Sequence, residues 1–267
     1  MKFASFPKFA LLSLLAGVFA LVLTGCGASN NLALAPGNWS MTATKTGGPV
    51  FYIGGNLTQS GTALAGTMYI ANSLCYSPSQ RVDFTGTVKG SKVTLTSASV
   101  GGEVLSVTAS GTASSLTGSY SIAGGITCKG QTGTIVANPV PSISGTWSGP
   151  IVDGNNDPKV KLSMTLTQAA TASADGTFAL TGNVTYTYST CSVSGTLPAG
   201  SSFVAGTYIL MNGNTIEVDG TPGSFVYYPV FLNNPTSPTN MQGTYMQTAG
   251  AGSFCTDTGN AATFAKQ

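Results

Sequence analysis

The sequence predicts an all-β protein of two tandem antiparallel domains, each read as an eight-stranded up-and-down barrel, and three observations lead there. Short runs alternate with period two: Val160, Leu162, Met164 and Leu166 interleave with Lys161, Ser163, Thr165 and Thr167, as in a strand with one buried face. Turn signals separate such runs, among them Lys89-Gly90-Ser91-Lys92, Asp175-Gly176 and Asn212-Gly213. Finally, a set of landmarks occurs twice in the same order. Past residue 25, no stretch carries convincing helical 3-4 spacing.

Composition narrows the class. Hydrophobic residues make up 42% and charged residues only 7% of the 267, whereas a disordered chain has fewer apolar residues and more charge. The formal charge of +2 falls to zero once Lys2 and Lys8 are set aside with the leader described next. A neutral, charge-poor chain lacks the basic footprint that phosphate recognition needs, so nucleic acid is not an expected partner.

Lys2 and Lys8 precede an uncharged apolar run from Phe9 to Val22. The run is shorter than the roughly 20 residues a membrane helix needs and has the layout of a signal peptide. It leads into Leu23-Thr24-Gly25-Cys26, which resembles the lipobox of bacterial lipoproteins. That resemblance implies cleavage after residue 25, a diacylglyceryl group on the Cys26 sulfur and acylation of the new amino terminus, for example by palmitate. Gly27 stands where an aspartate tends to hold such lipoproteins at the inner membrane, so the resemblance implies the outer membrane. Residues 1–25 are thus expected to be the signal peptide, and residues 26–35 a flexible lipidated tether.

The duplicated landmarks follow. Gly37-Asn38-Trp39-Ser40 returns as Gly145-Thr146-Trp147-Ser148, and Leu57-Thr58-Gln59 as Leu166-Thr167-Gln168. Cys75 corresponds to Cys191, Gly118-Ser119-Tyr120 to Gly243-Thr244-Tyr245, and Cys128 to Cys255. A spacing above 100 residues is too long for a solenoid repeat and implies two domains, 36–138 and 142–267, joined by a stiff linker at 139–141 that holds two prolines.

In the first repeat, strands are expected to begin near Trp39, Phe51, Leu64, Val82, Val93, Val104, Leu116 and Thr132. Eight short strands in succession can close into an up-and-down barrel, which removes exposed edges. Glycines within strands, at positions 55, 66, 86 and 111, favour the strong coiling of a tight, filled barrel. The Gly-x-Trp at the first strand resembles that of lipocalins and their relatives, which implies a tryptophan plugging the barrel floor. The chain departs from lipocalins in having Arg81 as its only arginine, so the second repeat lacks the arginine that covers the tryptophan there. No terminal helix is visible either. Immunoglobulin-like sandwiches are the alternative architecture.

If Cys26 is lipidated, Cys75, Cys128, Cys191 and Cys255 remain, and an exported chain meets an oxidising compartment. Disulfides are therefore expected, not zinc: no two of these cysteines have C-x-x-C spacing and the chain has no histidine. Four cysteines allow three pairings. The repeat selects Cys75 with Cys128 and Cys191 with Cys255, one ancestral bridge copied.

Material for catalysis is sparse. Without histidine, Ser-His-Asp and Cys-His sites are excluded, and no G-x-S-x-G elbow occurs. The only glutamates, Glu103 and Glu217, read as solvated strand ends. Asp153-Gly154-Asn155-Asn156-Asp157-Pro158 opens like a calcium loop but has Pro158 in place of the turn glycine and no closing glutamate, so it reads as an Asx-rich turn. The expectation is a protein that is not an enzyme, with no metal and no cofactor.

One strand stands apart. Phe225, Val226, Tyr227, Tyr228, Pro229, Val230, Phe231 and Leu232 are apolar on both faces, and Pro229 suggests an edge or a bulge. Phe225, Tyr227, Tyr228 and Phe231, joined by Tyr186 and Tyr188, are candidate ligand or interface residues. The function expected is a lipid-anchored cell-envelope protein, held in membrane lipid through Cys26, that binds a small apolar or aromatic ligand in a barrel. The alternative is a structural, adhesive or assembly lipoprotein that meets an envelope protein through its outer surface.

Overall fold

The computed structural model describes residues 31–48, 50–77, 80–152, 158–187, 192–197, 202–203, 224–231, 240–248 and 261–267. Cys26, the residues 153–157, Tyr188, Cys191, Glu217 and Cys255 lie outside them. Among the described residues sixteen strands run in chain order: β1 Gly37–Lys45, β2 Val50–Ser60, β3 Ala63–Ala71, β4 Gln80–Lys89, β5 Lys92–Ser97, β6 Glu103–Thr112, β7 Ser115–Gly124, β8 Thr132–Pro139, β9 Gly145–Val152, β10 Pro158–Gln168, β11 Phe178–Thr187, β12 Ser192–Thr196, β13 Ser202–Phe203, β14 Ser224–Phe231, β15 Asn240–Thr248 and β16 Ala261–Lys266. The described residues contain no helix.

Strands β1 to β8 pair in sequence order and close into a barrel. Each begins within two residues of its expected start. Closure is made by β1 on β8, antiparallel from Trp39↔Pro139 to Lys45↔Gly133. For this part of the chain the sandwich alternative is therefore excluded: no free edge remains in the β1–β8 ladder, and the period-two pattern puts one face of every strand inside.

That inner face is filled. Trp39, Met41, Phe51, Ile53, Leu57, Met68, Phe84, Leu95, Leu105 and Tyr120 belong to one buried cluster. Burying each side chain of this size contributes about 1.5–3 kcal/mol. The tight curvature explains the inward glycines. A Cβ on Gly66 would stand 2.6 Å from the Asn56 carbonyl oxygen, and one on Gly86 would collide with the Thr94 carbonyl oxygen. Only a residue without a side chain lets adjacent strands approach so closely.

The second half has pairing order β12-β11-β10-β9-β16-β15-β14, with β13 also on β11. Among the described residues these strands form a second sheet, separate from the barrel. Its registers nevertheless match those of the barrel. Gly37 faces Leu57 and Trp39 faces Gly55, as Gly145 faces Leu166 and Trp147 faces Met164. Leu57 then faces Gly66, as Leu166 faces Gly182. β16 pairs β9 where β8 pairs β1.

Each half holds one buried tryptophan with the same kind of hydrogen bond. Both indoles are fully buried. Trp39 Nε1 donates to the Ala35 carbonyl at 2.8 Å and Trp147 Nε1 to the Ile143 carbonyl at 2.9 Å. Gln59 Oε1 accepts the Leu34 N–H at 2.8 Å, and Gln168 Oε1 accepts the Ile143 N–H at 3.0 Å. Residues 31–35, expected as the end of a flexible tether, thus form a strap across the barrel end. Leu34 is buried, Leu32 N–H donates to the Gly90 carbonyl, and Ala35 N–H to the Ala113 carbonyl. Alternating leucines give this segment an apolar side to set on the floor, which outweighs the freedom of a short polar tether.

Candidate functional site

The strap and Trp39 close one end of the barrel. The connections β1–β2, β3–β4, β5–β6 and β7–β8 form the other end, the mouth. In an eight-stranded closed ladder the β3–β4 and β7–β8 connections stand four strands apart, on opposite sides of the rim. Cys75 lies in the first and Cys128 in the second, and they form a disulfide with a Cα–Cα distance of 5.5 Å. The bridge therefore crosses the mouth. This pairing is the one the repeat selected; the pairing of Cys191 with Cys255 falls outside the described residues.

Beneath the bridge is a small polar group in an apolar setting. Glu103 opens β6 on the inward register and is only 3% exposed, a correction to its reading as a solvated strand end. Barrel closure turns its side chain under the β7–β8 loop, where Oε1 accepts the Cys128 N–H at 3.0 Å. Tyr76, next to the bridge, is 5% exposed. Its phenol is pushed up to about 12, first by burial and then by the charge of Glu103, while nearby Ser97 draws it partly back. Ser97 Oγ itself accepts the Leu105 N–H at 2.8 Å. Among the described residues, neither Tyr76 Oη nor Glu103 Oε2 has a hydrogen-bond partner. Buried polar atoms in that state are uncommon and ask for a role.

Around this group the rim is ordered by side-chain contacts. Asn72, at a positive φ of 57°, donates from Nδ2 to the Val50 carbonyl at 2.8 Å. Gln131 Nε2 donates to Tyr120 Oη at 3.1 Å, and Tyr120 meets Phe51 edge-on at 5.1 Å between ring centroids. Two large apolar side chains project outward from the bridged loops: Leu74 is 81% exposed and Ile126 is 99% exposed.

The aromatic candidates in the second half are placed only by backbone. Tyr186 pairs with Leu162 in β10 and with Val193 in β12. Phe225, Tyr227, Tyr228 and Phe231 lie on β14, paired to β15 through Tyr227↔Tyr245 and Phe231↔Met241. Pro229 faces Gly243 with no shift of register, so there is no bulge against β15. Along the described sheet, four strands separate β11 from β14, and the ladder does not make Tyr186 a neighbour of that strand.

Sequence reasoning missed two features here. Sequence alone offers no sign that Glu103 lies under the Cys75–Cys128 bridge. Lys266 Nζ stands 5.5 Å over the Trp147 ring, so a lysine, not an arginine, lies over that tryptophan. Arg81 sits elsewhere, on the outer side of the barrel, where Nη2 donates to the Ala174 carbonyl at 3.2 Å.

Fold and site together define an all-β protein with a closed eight-stranded antiparallel barrel whose mouth is crossed by a disulfide. No protein-family model matches the chain, and no curated protein matches it. Among solved structures, kievitone hydratase from Nectria haematococca matches with 10% identity over 91% of this chain and 93% of that one, at a TM-score of 0.20. The expectation that the chain is not an enzyme is withdrawn, because it rested on absent motifs alone. A likeness at that score carries no activity to this chain. The chemistry agrees with the withdrawal: lack of histidine excludes histidine-dependent sites only, and carboxyl and phenol groups also transfer protons.

Proposed function

We propose that the chain is a lipid-anchored protein of the cell envelope, exported by residues 1–25, held in the outer membrane through Cys26, and built from two duplicated barrel domains at 36–138 and 142–267. The matched registers of β1–β3 and β9–β11, and the repeated Trp–Gln floor, support the duplication. The first barrel works through its outer surface as an assembly or adhesive module. The observation that carries this reading is its filled interior: Trp39, Met41, Ile53, Leu57, Met68 and Phe84 leave the inward positions occupied by large, fully buried side chains. Exposed Leu74 and Ile126, on the loops that the disulfide joins, supply the apolar contact for another envelope protein.

The ligand-binding reading belongs to the second half. It is favoured by β14, whose sequence is apolar on both faces although the strand pairs only with β15 among the described residues. A small apolar or aromatic molecule beside Phe225, Tyr227, Tyr228 and Phe231 would account for that.

Native mass spectrometry on protein extracted in mild detergent separates the two. The mass of the acylated chain alone is expected from the surface reading. A stoichiometric small molecule lost on activation, and absent from a Tyr227→Ser/Phe231→Ser variant, would replace it with the ligand reading.

A further inference from the structure

We infer that the barrel mouth is a latent zinc site, closed while Cys75 and Cys128 are bridged and created when they are reduced. The two sulfurs and a Glu103 carboxylate oxygen lie within 4.8 Å of one another. A tetrahedral zinc with Zn–S near 2.3 Å needs its sulfurs about 3.8 Å apart and its oxygen at a similar distance. Breaking the S–S bond and letting the sulfurs part supplies that geometry with little further movement. The spacing rule for zinc motifs does not see it, because the cysteines are 53 residues apart and meet only through barrel closure.

The independent observation is Glu103. Its Oε1 is held by the Cys128 N–H, while Oε2 is buried with no partner among the described residues. A carboxylate is costly to bury unpaired, and a dication beside it removes the cost. Gln131 Oε1, 3.7 Å from Cys75 Sγ, or a water completes four ligands. In the bridged state that sulfur carries no proton, so the Gln131 contact is not a hydrogen bond.

The chemistry balances in two steps. A dithiol reductant attacks Cys75, the less buried of the two cysteines, forms a mixed disulfide that releases the Cys128 thiol, and then leaves as its own cyclic disulfide, giving two thiols on this chain. Zinc then displaces the two thiol protons and binds two thiolates and the Glu103 carboxylate. The inference rests on the described barrel and is independent of the reading under Proposed function.

The test uses the chain carrying Cys26→Ser, Cys191→Ser and Cys255→Ser, so that Cys75 and Cys128 are its only cysteines. Co2+ is titrated into the oxidised protein and into protein reduced by a phosphine, and thiolate-to-cobalt absorption is read. One equivalent is expected after reduction and none before, with Zn2+ bleaching the bands. Glu103→Gln, which leaves the disulfide intact, should weaken Co2+ binding about tenfold or more in the reduced state. Zn2+ should also raise the Tm of the reduced chain in proportion to the logarithm of its concentration. Absence of cobalt–thiolate bands, equal affinity in Glu103→Gln, or a reduced chain that unfolds and is not recovered by Zn2+ would each overturn the inference.

Discussion

Lys266 Nζ lies 5.5 Å from the centroid of the Trp147 indole, and the register of β16 on β9 sets the two residues opposite each other. At the equivalent place on the first barrel, Trp39 faces Pro139. The two tryptophans therefore share their indole hydrogen bond but differ in the residue set opposite them. With the lysine itself exposed, a cation over an aromatic face contributes about 0.5–1 kcal/mol. Lys266→Ala should lower stability by about that amount and Lys266→Arg should preserve it, as urea unfolding followed by tryptophan fluorescence would show. An unchanged midpoint in Lys266→Ala would remove the contact from the account.

The strap predicts where a fragment can be cut. A piece spanning residues 31–140 should unfold cooperatively. One starting at residue 36 loses the buried Leu34, its bond to Gln59 and the acceptor of the Trp39 indole. Leucine burial and the hydrogen bonds together come to about 3 kcal/mol. Equal denaturation midpoints for the two fragments would mean that the strap is not part of the fold.

Removing the bridge should weaken the first barrel. A loop with a separation of 53 residues gives about 4 kcal/mol in the chain-entropy model, so Cys128→Ser should lower the Tm by many degrees. Non-reducing peptide mapping of the native chain checks the premise: a fragment joining residue 75 or 128 to residue 191 or 255 would refute the pairing.

Tyr76 predicts a loss of stability in alkali. Its phenol titrates near 12 in the fold against 10.0 for the free group, so the folded state holds the proton over that interval while the unfolded chain releases it. The contribution is whole below pH 10 and is lost as pH rises through 12. Tyr120 is raised too, chiefly by burial, and adds the same sign. Tyr76→Phe should flatten the slope above pH 10. A steeper alkaline slope in the variant would contradict the assignment.

Anchoring should depend on Cys26. Two or more acyl chains hold a protein to a membrane where one is marginal, each buried methylene adding about 0.8 kcal/mol. In Cys26→Ser, processing after residue 25 and incorporation of labelled palmitate should both stop. Continued processing and acylation of that variant would rule out the lipobox reading.

Much of the first barrel was legible in the sequence because its determinants are local. Alternation of Met41, Ile53 or Leu95 with polar neighbours marks a strand whatever it pairs with, and Gly90 or Gly61 marks its end. The repeated landmarks in the sequence also favoured Cys75 with Cys128, the bridge the fold makes. Other features needed the closed ladder. Only closure sets the β3–β4 and β7–β8 loops facing each other, and so puts Glu103 under the disulfide instead of in water. Only the pairing of β16 on β9 brings Lys266 to Trp147. Whether residues 31–35 hang free or cross the floor depends on a surface built by strands up to 80 positions away, with Gly90 and Ala113 as acceptors. Period and turn chemistry are written in neighbouring residues; which buried group meets which loop is decided by the curvature of the whole sheet.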